Sequence, residues 1–348
     1  MKVLVTGGCG FIGSHVCEFY RGRGASVISY DNMTKVELQR TQYAVERARD
    51  YNWDYLKQLG VAMVKADVRD YEALLETAKG ADYIVHTAAQ PAVTISMEDV
   101  DLDFSTNVLG TLNVLKTARE YDIPVVSCAT IHVYGNLING TLAEGATRYR
   151  RTPPEIDESH PTMEGLLTPL HASKRSAELY LQVFIDTYKV RAASYRLTGL
   201  YGPRQLGGED HGWVANFSIR ALLGWPLHVY GTGKQVRDIL FATDVAEAFH
   251  AFYEHQVPGI YNIGGGVESA ISLVECIDLI ASITGRKPDV QMRPGRHGDL
   301  HYFVCDSSKA RQQLQWTPKV RPVAGVRQLI DWTRANFDLF TPAAAMKA

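Results

Sequence analysis

The sequence predicts an α/β fold: a doubly wound parallel sheet of the Rossmann type, followed by a smaller C-terminal α/β lobe. Three observations support this prediction. A short apolar run at 2–6 indicates a buried strand, and a glycine-rich turn follows at once over 7–13. Strand-like and helical stretches then alternate as far as residue 197. Such alternation places helices on both faces of a parallel sheet.

The elements are assigned in chain order from the periodicity of their apolar residues. Strands are predicted at 2–6, 26–30, 61–67, 83–89, 125–130, 191–197 and 260–263. Helices are predicted at 14–20, 71–78, 102–121 and 172–188, and a strand followed by a helix at 239–250. The irregular stretch 135–168 contains Pro153-Pro154 and is interpreted as a long active-site loop that could act as a lid.

The turn after the first strand has the features of a dinucleotide-binding site. Gly7 permits a tight turn, Gly10 lets the backbone approach a pyrophosphate, and Gly13 lets the helix pack closely on the strand. The helix N-terminus adds free N–H groups and partial positive charge. Asp31, at the end of the second strand, stands where a ribose-binding carboxylate belongs, and with Asn32 and no adjacent arginine it favours NAD over NADP. The alternative is an ordinary βα turn.

The chain is expected to divide into two units. Residues 1–196 form the NAD-binding Rossmann domain, and 237–263 are expected to return to it. Beyond Tyr201, glycine, proline and tryptophan interrupt the pattern with short segments. We therefore assign 197–236 and 264–340 to a smaller substrate-binding lobe.

Composition excludes several classes of protein. The 348 residues, 46% of them hydrophobic, are enough for two domains or one large domain with a full core. A net charge of −2 offers no broad field to nucleic acid or an anionic membrane, and no apolar run is long enough to span a bilayer. The first strand begins at Lys2, which leaves no room for a signal peptide.

The cysteines and histidines show no metal-ligand spacing. Five scattered cysteines in apolar surroundings indicate reduced, buried thiols and hence a cytoplasmic protein. His160, His228, His255 and His301 likewise lack ligand spacing, so no metal site is expected.

A series of motifs, taken in order, resembles one protein family. The motifs lie at 6–13, 88–89, 133–135, 172–174, 196–205, 235–238, 296–299 and 306–309. Over residues 1–337 the chain resembles the extended short-chain dehydrogenases/reductases, and more narrowly the nucleotide-sugar epimerases and dehydratases. Within that group, the stretches 144–149, 208–214 and 231–238 most resemble the CDP-paratose 2-epimerase family, also called CDP-tyvelose 2-epimerases.

The resemblance implies NAD as a tightly held cofactor. Its expected contacts come from the glycine turn, the strand ends and the loops that follow them: Gly7, Gly10, Phe11, Ile12, Gly13, Asp31, Asn32, Asp67, Val68, Ala88, Ala89, Gln90, Asn107, Lys174, Leu197 and Thr198. Asn107, within a predicted helix, would support the catalytic lysine through backbone or water contacts.

The resemblance also implies a catalytic set of Thr130, His171 and Lys174. Thr130 would hydrogen-bond the reacting hydroxyl, and Lys174 would hold the nicotinamide ribose and lend positive charge. The family keeps a tyrosine where this chain has His171. Imidazole titrates near neutral pH, so it can accept a hydroxyl proton there.

Three interpretations of His171 stay open. It is the working acid/base; or it supports another group, such as His132 or Tyr134, that moves protons; or it marks a weakened or redirected site.

The substrate side is expected to hold a nucleotide diphosphate. Arg237 and Arg296 are candidate diphosphate clamps, because guanidinium pairs bidentately with phosphate, although either could instead form a surface ion pair. Asp299 is a candidate partner of a ribose hydroxyl. The remaining candidates for contact with the sugar or base are Gln205, His211, Trp213 and Asn216, of which Trp213 could instead belong to the core of the lobe.

The helices at 102–121 and 172–188 carry apolar residues on more than one stripe. A helix with two apolar faces needs a second partner. The family's paired-helix homodimer would supply that partner, and the alternative is a thicker monomer core.

These inferences predict an NAD-dependent sugar-nucleotide epimerase that inverts C2 of a CDP-linked hexose through a 2-keto intermediate. The alternatives are a UDP-hexose 4-epimerase, a 4,6-dehydratase, a uronate decarboxylase, or a non-enzymatic NAD-binding protein. Ile131-His132 replaces the Asp-Glu pair usual in dehydratases and the glutamate usual in decarboxylases, which weakens both of those alternatives.

Overall fold

The computed structural model describes residues 1–34, 36–41 and 45–340. Its centre is a seven-stranded sheet in which every neighbouring pair of strands is parallel. Helices pack on both faces, so the predicted α/β fold with a doubly wound sheet is confirmed.

The elements of the first half follow in chain order. The strands are β1 (Lys2–Thr6), β2 (Ser26–Asp31), β3 (Ala62–Lys65), β4 (Tyr83–His86), β5 (Val125–Thr130), β6 (Ala143–Glu144) and β7 (Tyr149–Arg150). The helices are α1 (Phe11–Gly22), α2 (Val45–Gln58), α3 (Tyr71–Ala78), α4 (Val93–Glu98), α5 (Val100–Phe104), α6 (Gly110–Glu120) and α7 (Pro169–Tyr188).

The second half contributes shorter strands. They are β8 (Ala192–Leu197), β9 (Leu200–Tyr201), β10 (Leu227–Tyr230), β11 (Val236–Asp238), β12 (Leu240–Phe241), β13 (Gly259–Ile263), β14 (Ala270–Ser272), β15 (Val290–Arg293) and β16 (Tyr302–Phe303). The helices are α8 (Trp213–Leu223), α9 (Ala242–His255), α10 (Leu273–Thr284), α11 (Ser308–Leu314) and α12 (Pro322–Ala335).

The order of strands in the main sheet is β13-β8-β5-β4-β1-β2-β3. From β1 the chain adds β2 and β3 on one side of the sheet, and it then crosses to add β4, β5, β8 and β13 on the other side. Open parallel sheets bind ligands at the carboxyl ends of the strands beside such a switch point. At that edge Thr6 pairs with His86, and Thr130 pairs with Leu197. The ends of β1, β2, β4, β5 and β8 therefore surround one region.

The second half divides its strands between the main sheet and small sheets of its own. Within the range expected to return to the main domain, β13 joins the seven-stranded sheet and α9 packs against α1. In contrast, β11 pairs with β14 and β16, and β12 pairs with β9. Strands β10 and β15 form a further parallel pair. The apolar residues of α8, α10 and α12 close a separate core around these pieces.

The predicted helix 102–121 is interrupted in the structure. An α-helix ends at Phe104, a π-helical turn covers Ser105–Leu109, and α6 continues from Gly110. Within that turn the amide of Asn107 bonds both the backbone of Gln90 and the carboxylate of Asp103. Single π turns of this kind are frequent at functional sites. Residue periodicity cannot reveal them, because the apolar stripe continues on both sides.

The long loop 135–168 packs on the second half of the chain. Arg148 pairs with Glu275, and the ring of Tyr149 stacks on His301 at 5.3 Å between centroids. Ile156 donates its backbone N–H to Val304 at 2.9 Å. Residues 135–168 line neither of the two cavities described below, so the structure does not place this loop over the site as the expected lid.

Candidate active site

Two cavities open at the carboxyl edge of the main sheet. The larger, about 650 Å³, lies between the glycine turn, the end of β5, the first turn of α7 and the second half of the chain. The smaller, about 130 Å³, lies beside the end of β2. Both are lined by Gly7, Gly10, Thr87 and Ala89, so the cavities meet at the glycine turn.

The glycine turn packs so closely on neighbouring backbone that two of its glycines have no room for a side chain. Gly7 has φ +68°, and a Cβ there would lie 2.6 Å from the backbone nitrogen of Ala88. A Cβ on Gly13 would lie 2.1 Å from the carbonyl oxygen of Gly7. Helix α1 begins at Phe11 and has no acidic residue in its first turn. The turn therefore fits the diphosphate of NAD, which α1 would meet with free N–H groups.

The smaller cavity fits the adenosine end of NAD. It is lined by Asp31 and Asn32, and no arginine is among the described residues around it. The Asp31 carboxylate accepts the backbone N–H groups of Cys9 at 2.9 Å and Met33 at 2.8 Å, which hold it in place. A carboxylate here accepts ribose hydroxyls and repels a 2′-phosphate, so the residues fit NAD better than NADP.

Two predicted cofactor contacts line neither cavity. The Asp67 carboxylate is taken by Arg69, at 2.7 and 2.9 Å, and by the Asn32 amide. The guanidinium of Arg69, and then the amide, lower the pKa of Asp67 to about 2. Asn107 is buried, and it bonds the hydroxyl of Ser173, the residue before Lys174, at 3.2 Å. The structure places Asn107 behind the site rather than on its surface.

Lys174 lines the larger cavity and is almost fully buried. Its Nζ donates to the carbonyl oxygen of Cys128 at 3.2 Å, so β5 orients it. Burial lowers the pKa of Lys174, and the charge of Asp103 works in the opposite direction. Asp103 is a buried carboxylate that accepts from Gln90 at 3.0 Å and Asn107 at 2.9 Å. Sequence reasoning missed Asp103, because nothing distinguishes an aspartate within an acidic helical turn.

Two imidazoles, those of His171 and His132, lie side by side in the larger cavity. His171 lies in the first turn of α7, and its ring centroid is 5.5 Å from that of His132 with the rings nearly perpendicular. Both side chains line the larger cavity together with Thr130. The Thr130 hydroxyl accepts the backbone N–H of His132 at 3.2 Å. Burial lowers the pKa of His171 and lowers that of His132 to about 3, so both rings are neutral at neutral pH.

Tyr134, the other proposed proton carrier, does not line the cavity. Its hydroxyl donates to Asn262 at 2.7 Å and accepts from Arg196 at 2.9 Å. Burial raises the pKa of Tyr134 well above its usual value. Tyr134 therefore belongs to the core beside the site and not to the cavity surface.

The two predicted diphosphate clamps line the far side of the cavity. Arg237 donates to the backbone oxygens of Val236 and Leu300, which fix its guanidinium. Arg296 donates to the backbone oxygen of Glu209 at 2.6 Å and lies 4.0 Å above the ring of Tyr230. Neither arginine forms a salt bridge with a carboxylate in the described part of the chain. Both guanidinium groups can therefore pair with an anionic ligand, although the nearby charges of Asp299 and Asp238 also act on Arg237.

A polar cluster that sequence reasoning missed surrounds Arg296. His228 contacts the Glu209 carboxylate at 2.6 Å, and the Tyr230 hydroxyl donates to it at 2.8 Å. Burial by itself raises the pKa of Glu209, but these two hydrogen bonds, with the charge of Arg220, outweigh it and lower the pKa. His228 carries no sequence signal of a site, because its partners come from other elements.

The structure brings most of the predicted site residues together. Around the larger cavity lie Gly7, Gly10, Phe11, Ile12, Gly13, Ala89, Thr130, His171, Lys174, Leu197, Thr198, Gln205, His211, Trp213, Asn216, Arg237, Arg296 and Asp299. Around the smaller one lie Asp31, Asn32, Val68, Ala88 and Gln90. No group of three or more His, Cys, Asp or Glu residues in the described ranges could hold a metal ion. None of the helices in those ranges is long and apolar enough to cross a membrane.

Comparison with known proteins identifies the family. Residues 3–264 match the model of the NAD dependent epimerase/dehydratase family. The chain is 32% identical to the CDP-paratose 2-epimerase of Salmonella typhi, over 96% of this chain and 99% of that protein. These matches confirm the resemblance stated from the motifs, and with it an enzyme of the nucleotide-sugar epimerase type.

Solved structures agree with this assignment. The UDP-glucose 4-epimerase of Thermus thermophilus, in complex with NAD, is 34% identical and superposes with a TM-score of 0.79 over 97% of this chain and all of that one. The UDP-glucose 4-epimerase of Thermotoga maritima, with UDP-glucose, is 28% identical with a TM-score of 0.80 over the same shares. The predicted cofactor, NAD, is confirmed by the family and by these neighbours. The chain belongs to the NAD-dependent epimerase/dehydratase family.

Proposed function

We propose that this protein is a sugar-nucleotide 2-epimerase that inverts C2 of a CDP-linked hexose of the paratose/tyvelose type. One observation carries the proposal: a single cavity joins the glycine turn, the strand end that bears Thr130 and two arginines, Arg237 and Arg296. The cavity volume of about 650 Å³ is within the usual range for a small-molecule site. The choice of C2 and of CDP rests on the relative that is 32% identical along nearly the whole chain.

The residues divide the work by their positions. Arg237 and Arg296 bind the diphosphate, and Asp299, fixed by Gln235 at 3.1 Å, accepts a ribose hydroxyl. Thr130 hydrogen-bonds the sugar hydroxyl, and Lys174 holds the nicotinamide ribose. Bound NAD would supply reversible hydride transfer at the sugar carbon. The protein supplies an acceptor for the hydroxyl proton, and Arg237 and Arg296 hold the diphosphate to which the sugar is attached.

Incubation with sugar nucleotides tests this function directly. The purified protein is mixed with CDP-paratose, CDP-glucose and UDP-glucose in turn, and the C2 and C4 centres are followed by NMR. We expect equilibration at C2 of the CDP-linked dideoxyhexose and no change at C4 of UDP-glucose. Equilibration at C4 alone would replace this function with a 4-epimerase. Binding of NAD without turnover of any of the three would indicate a binding protein.

The 4-epimerase is the second candidate, and one observation favours it. The NAD-bound structure that is 34% identical is a UDP-glucose 4-epimerase. Both reactions need the same cofactor geometry and differ in which sugar carbon meets the nicotinamide. The residues that orient the sugar therefore decide between them.

We also propose a homodimer formed through the helical regions 102–121 and 172–188. Large apolar side chains on these segments are exposed in the monomer: Phe104, Leu109, Leu179, Tyr180 and Val183. Exposed apolar side chains on elements that pack against one another are typical of an interaction surface. We propose a cytoplasmic location, since none of the five cysteines, all of which lie within the described ranges, forms a disulfide.

A further inference from the structure

The hydrogen bonds around His171 restrict the form that its ring can take. Nδ1 accepts the backbone N–H of Thr168 at 3.1 Å and lies 2.7 Å from the hydroxyl oxygen of the same residue. A backbone N–H can only donate, so Nδ1 must carry a lone pair. In the neutral ring the proton then lies on Nε2.

This arrangement is part of the N-terminal cap of helix α7. His171 occupies the third helical position after Thr168, where a side-chain acceptor satisfies the N–H of the capping residue. To present a lone pair at Nε2, the ring would have to move its proton to Nδ1 and break the bond to the Thr168 N–H. The cap therefore keeps a proton on Nε2 of His171. This nitrogen can donate a hydrogen bond, but it has no lone pair with which to accept a proton.

His132 has no such restriction. Within the described ranges neither of its ring nitrogens has a hydrogen-bond partner, and its Nδ1 is buried without one. Its ring lies edge to face with that of His171, in the same cavity, two residues after Thr130. Burial, then the nearby Arg237 and His171, lower the pKa of His132 to about 3, so the ring of the free enzyme is neutral and one nitrogen offers a lone pair. The same surroundings make the ring a weak base, so any proton that it takes is held only until it is returned within the turnover.

We propose that His132 takes the proton from the sugar hydroxyl and returns it, while His171 holds the same oxygen through Nε2–H. This inference rests on the proposed function. As the sugar O–H bond breaks, an N–H bond forms on His132, and the hydride on the same carbon passes to NAD. When the hydride returns to the ketone carbon, its oxygen takes the proton back from His132. Oxidation and reduction cancel, and no further reactant is needed.

Paired glutamine substitutions separate the two roles. Glutamine at 171 keeps a cap acceptor and an N–H donor but cannot take a proton. We expect His171→Gln to lower kcat by less than about tenfold, and His132→Gln to lower it by about 10²-fold or more with little change in KM. His255→Gln, on a side chain at the end of α9 that lines neither cavity, is the matched control and should leave kcat unchanged.

Imidazole rescue and NMR add two readouts. Free imidazole should restore part of the turnover of His132→Ala, because it supplies the missing base. Long-range ¹H–¹⁵N spectra of the wild-type protein should show Nδ1 of His171 unprotonated and Nε2 protonated.

The opposite results overturn the proposal. It fails if His132→Gln keeps wild-type turnover, if His171→Gln loses as much as His132→Gln, or if the spectra show a proton on Nδ1 of His171. The spectra need no substrate. A wild-type protein without epimerase activity would therefore refute the proposed function, while the tautomer of His171 would still be measured.

Discussion

At the scale of single residues, the site depends on side chains that serve the fold and the chemistry at once. His171 caps α7 and lines the cavity, and Lys174, one helical turn later, is oriented by the carbonyl oxygen of Cys128. Behind it, Asn107 links the π turn to Ser173 of α7. We expect a change at any of these positions to alter the orientation of a proposed catalytic side chain as well as stability.

The glycine turn gives the sharpest prediction at this scale. A Cβ on Gly13 would lie 2.1 Å from the carbonyl oxygen of Gly7, so Gly13→Ala must displace the turn that meets the cofactor diphosphate. We expect a loss of about 2 kcal/mol in the free energy of unfolding and at least about tenfold weaker NAD binding. Thermal unfolding and calorimetric titration with NAD measure the two effects.

Gly22→Ala is the matched control for this change. Gly22 ends the same helix, and a Cβ there would meet no atom within 4 Å. It should leave NAD binding unchanged and stabilise the helix by up to about 1 kcal/mol. Equal NAD affinity in the two variants would show that the close approach at Gly13 does not matter.

At the scale of elements, α7 links the active site to an exposed apolar face. Its first two turns carry His171 and Lys174 into the cavity, while Leu179, Tyr180 and Val183 farther along it are exposed. The neighbouring α5 and the π turn, which pack on α7, add exposed Phe104 and Leu109. A dimer through these helices would therefore stabilise the elements that hold the site.

The oligomeric state tests that arrangement. We expect the wild-type protein to sediment as a dimer at micromolar concentration. Val183→Glu should convert it to a monomer, because the interface would bury an unpaired carboxylate. Val323→Glu alters a valine of α12 that is 56% exposed, against 48% for Val183, and should leave the dimer intact. A monomeric wild type, or a dimeric Val183→Glu variant in analytical ultracentrifugation, would contradict the proposed interface.

At the scale of the whole molecule, buried neutral histidines couple stability to pH. Burial, aided by Arg204, lowers the pKa of His15 to about 3, and burial, aided by Lys174, does the same for His86. The unfolded chain protonates both near pH 6.5. Between these values the unfolded state binds more protons, so stability falls as the pH falls from about 6.5 towards 3.

Urea unfolding at pH 7 and pH 5 measures this dependence. Each such histidine lowers the free energy of unfolding by about 1.4 kcal/mol per pH unit once the pH is well below 6.5. His86→Gln should be less stable at pH 7, since it disturbs the contacts of His86 with Thr6 and Thr111. Its unfolding free energy should also change less steeply with pH, because one proton fewer is taken up on unfolding. An unchanged pH dependence of the unfolding free energy in His86→Gln would rule out His86 as a source.

The sequence by itself determined the fold class, the NAD-binding turn and the family. Strand and helix periodicity, the order of Gly7, Gly10 and Gly13, and an acid at the end of the second strand are properties of short stretches, so they can be read without knowing which distant segments meet. The strand ends of a parallel sheet share one edge. Predicted site residues that follow those strand ends therefore line the two cavities.

Only the tertiary structure decided which groups those residues face. The loop 135–168 packs against the second half of the chain, and the helix predicted at 102–121 is interrupted by the π turn. Asp67 pairs with Arg69, and His228 and Glu209 lie around Arg296. The tertiary structure also put the lone pair of His171 on a capping N–H and gave the ring of His132 no hydrogen-bond partner among the described residues. Hydrogen-bond partners and burial depend on contacts between residues far apart in the chain, and local sequence carries no record of them.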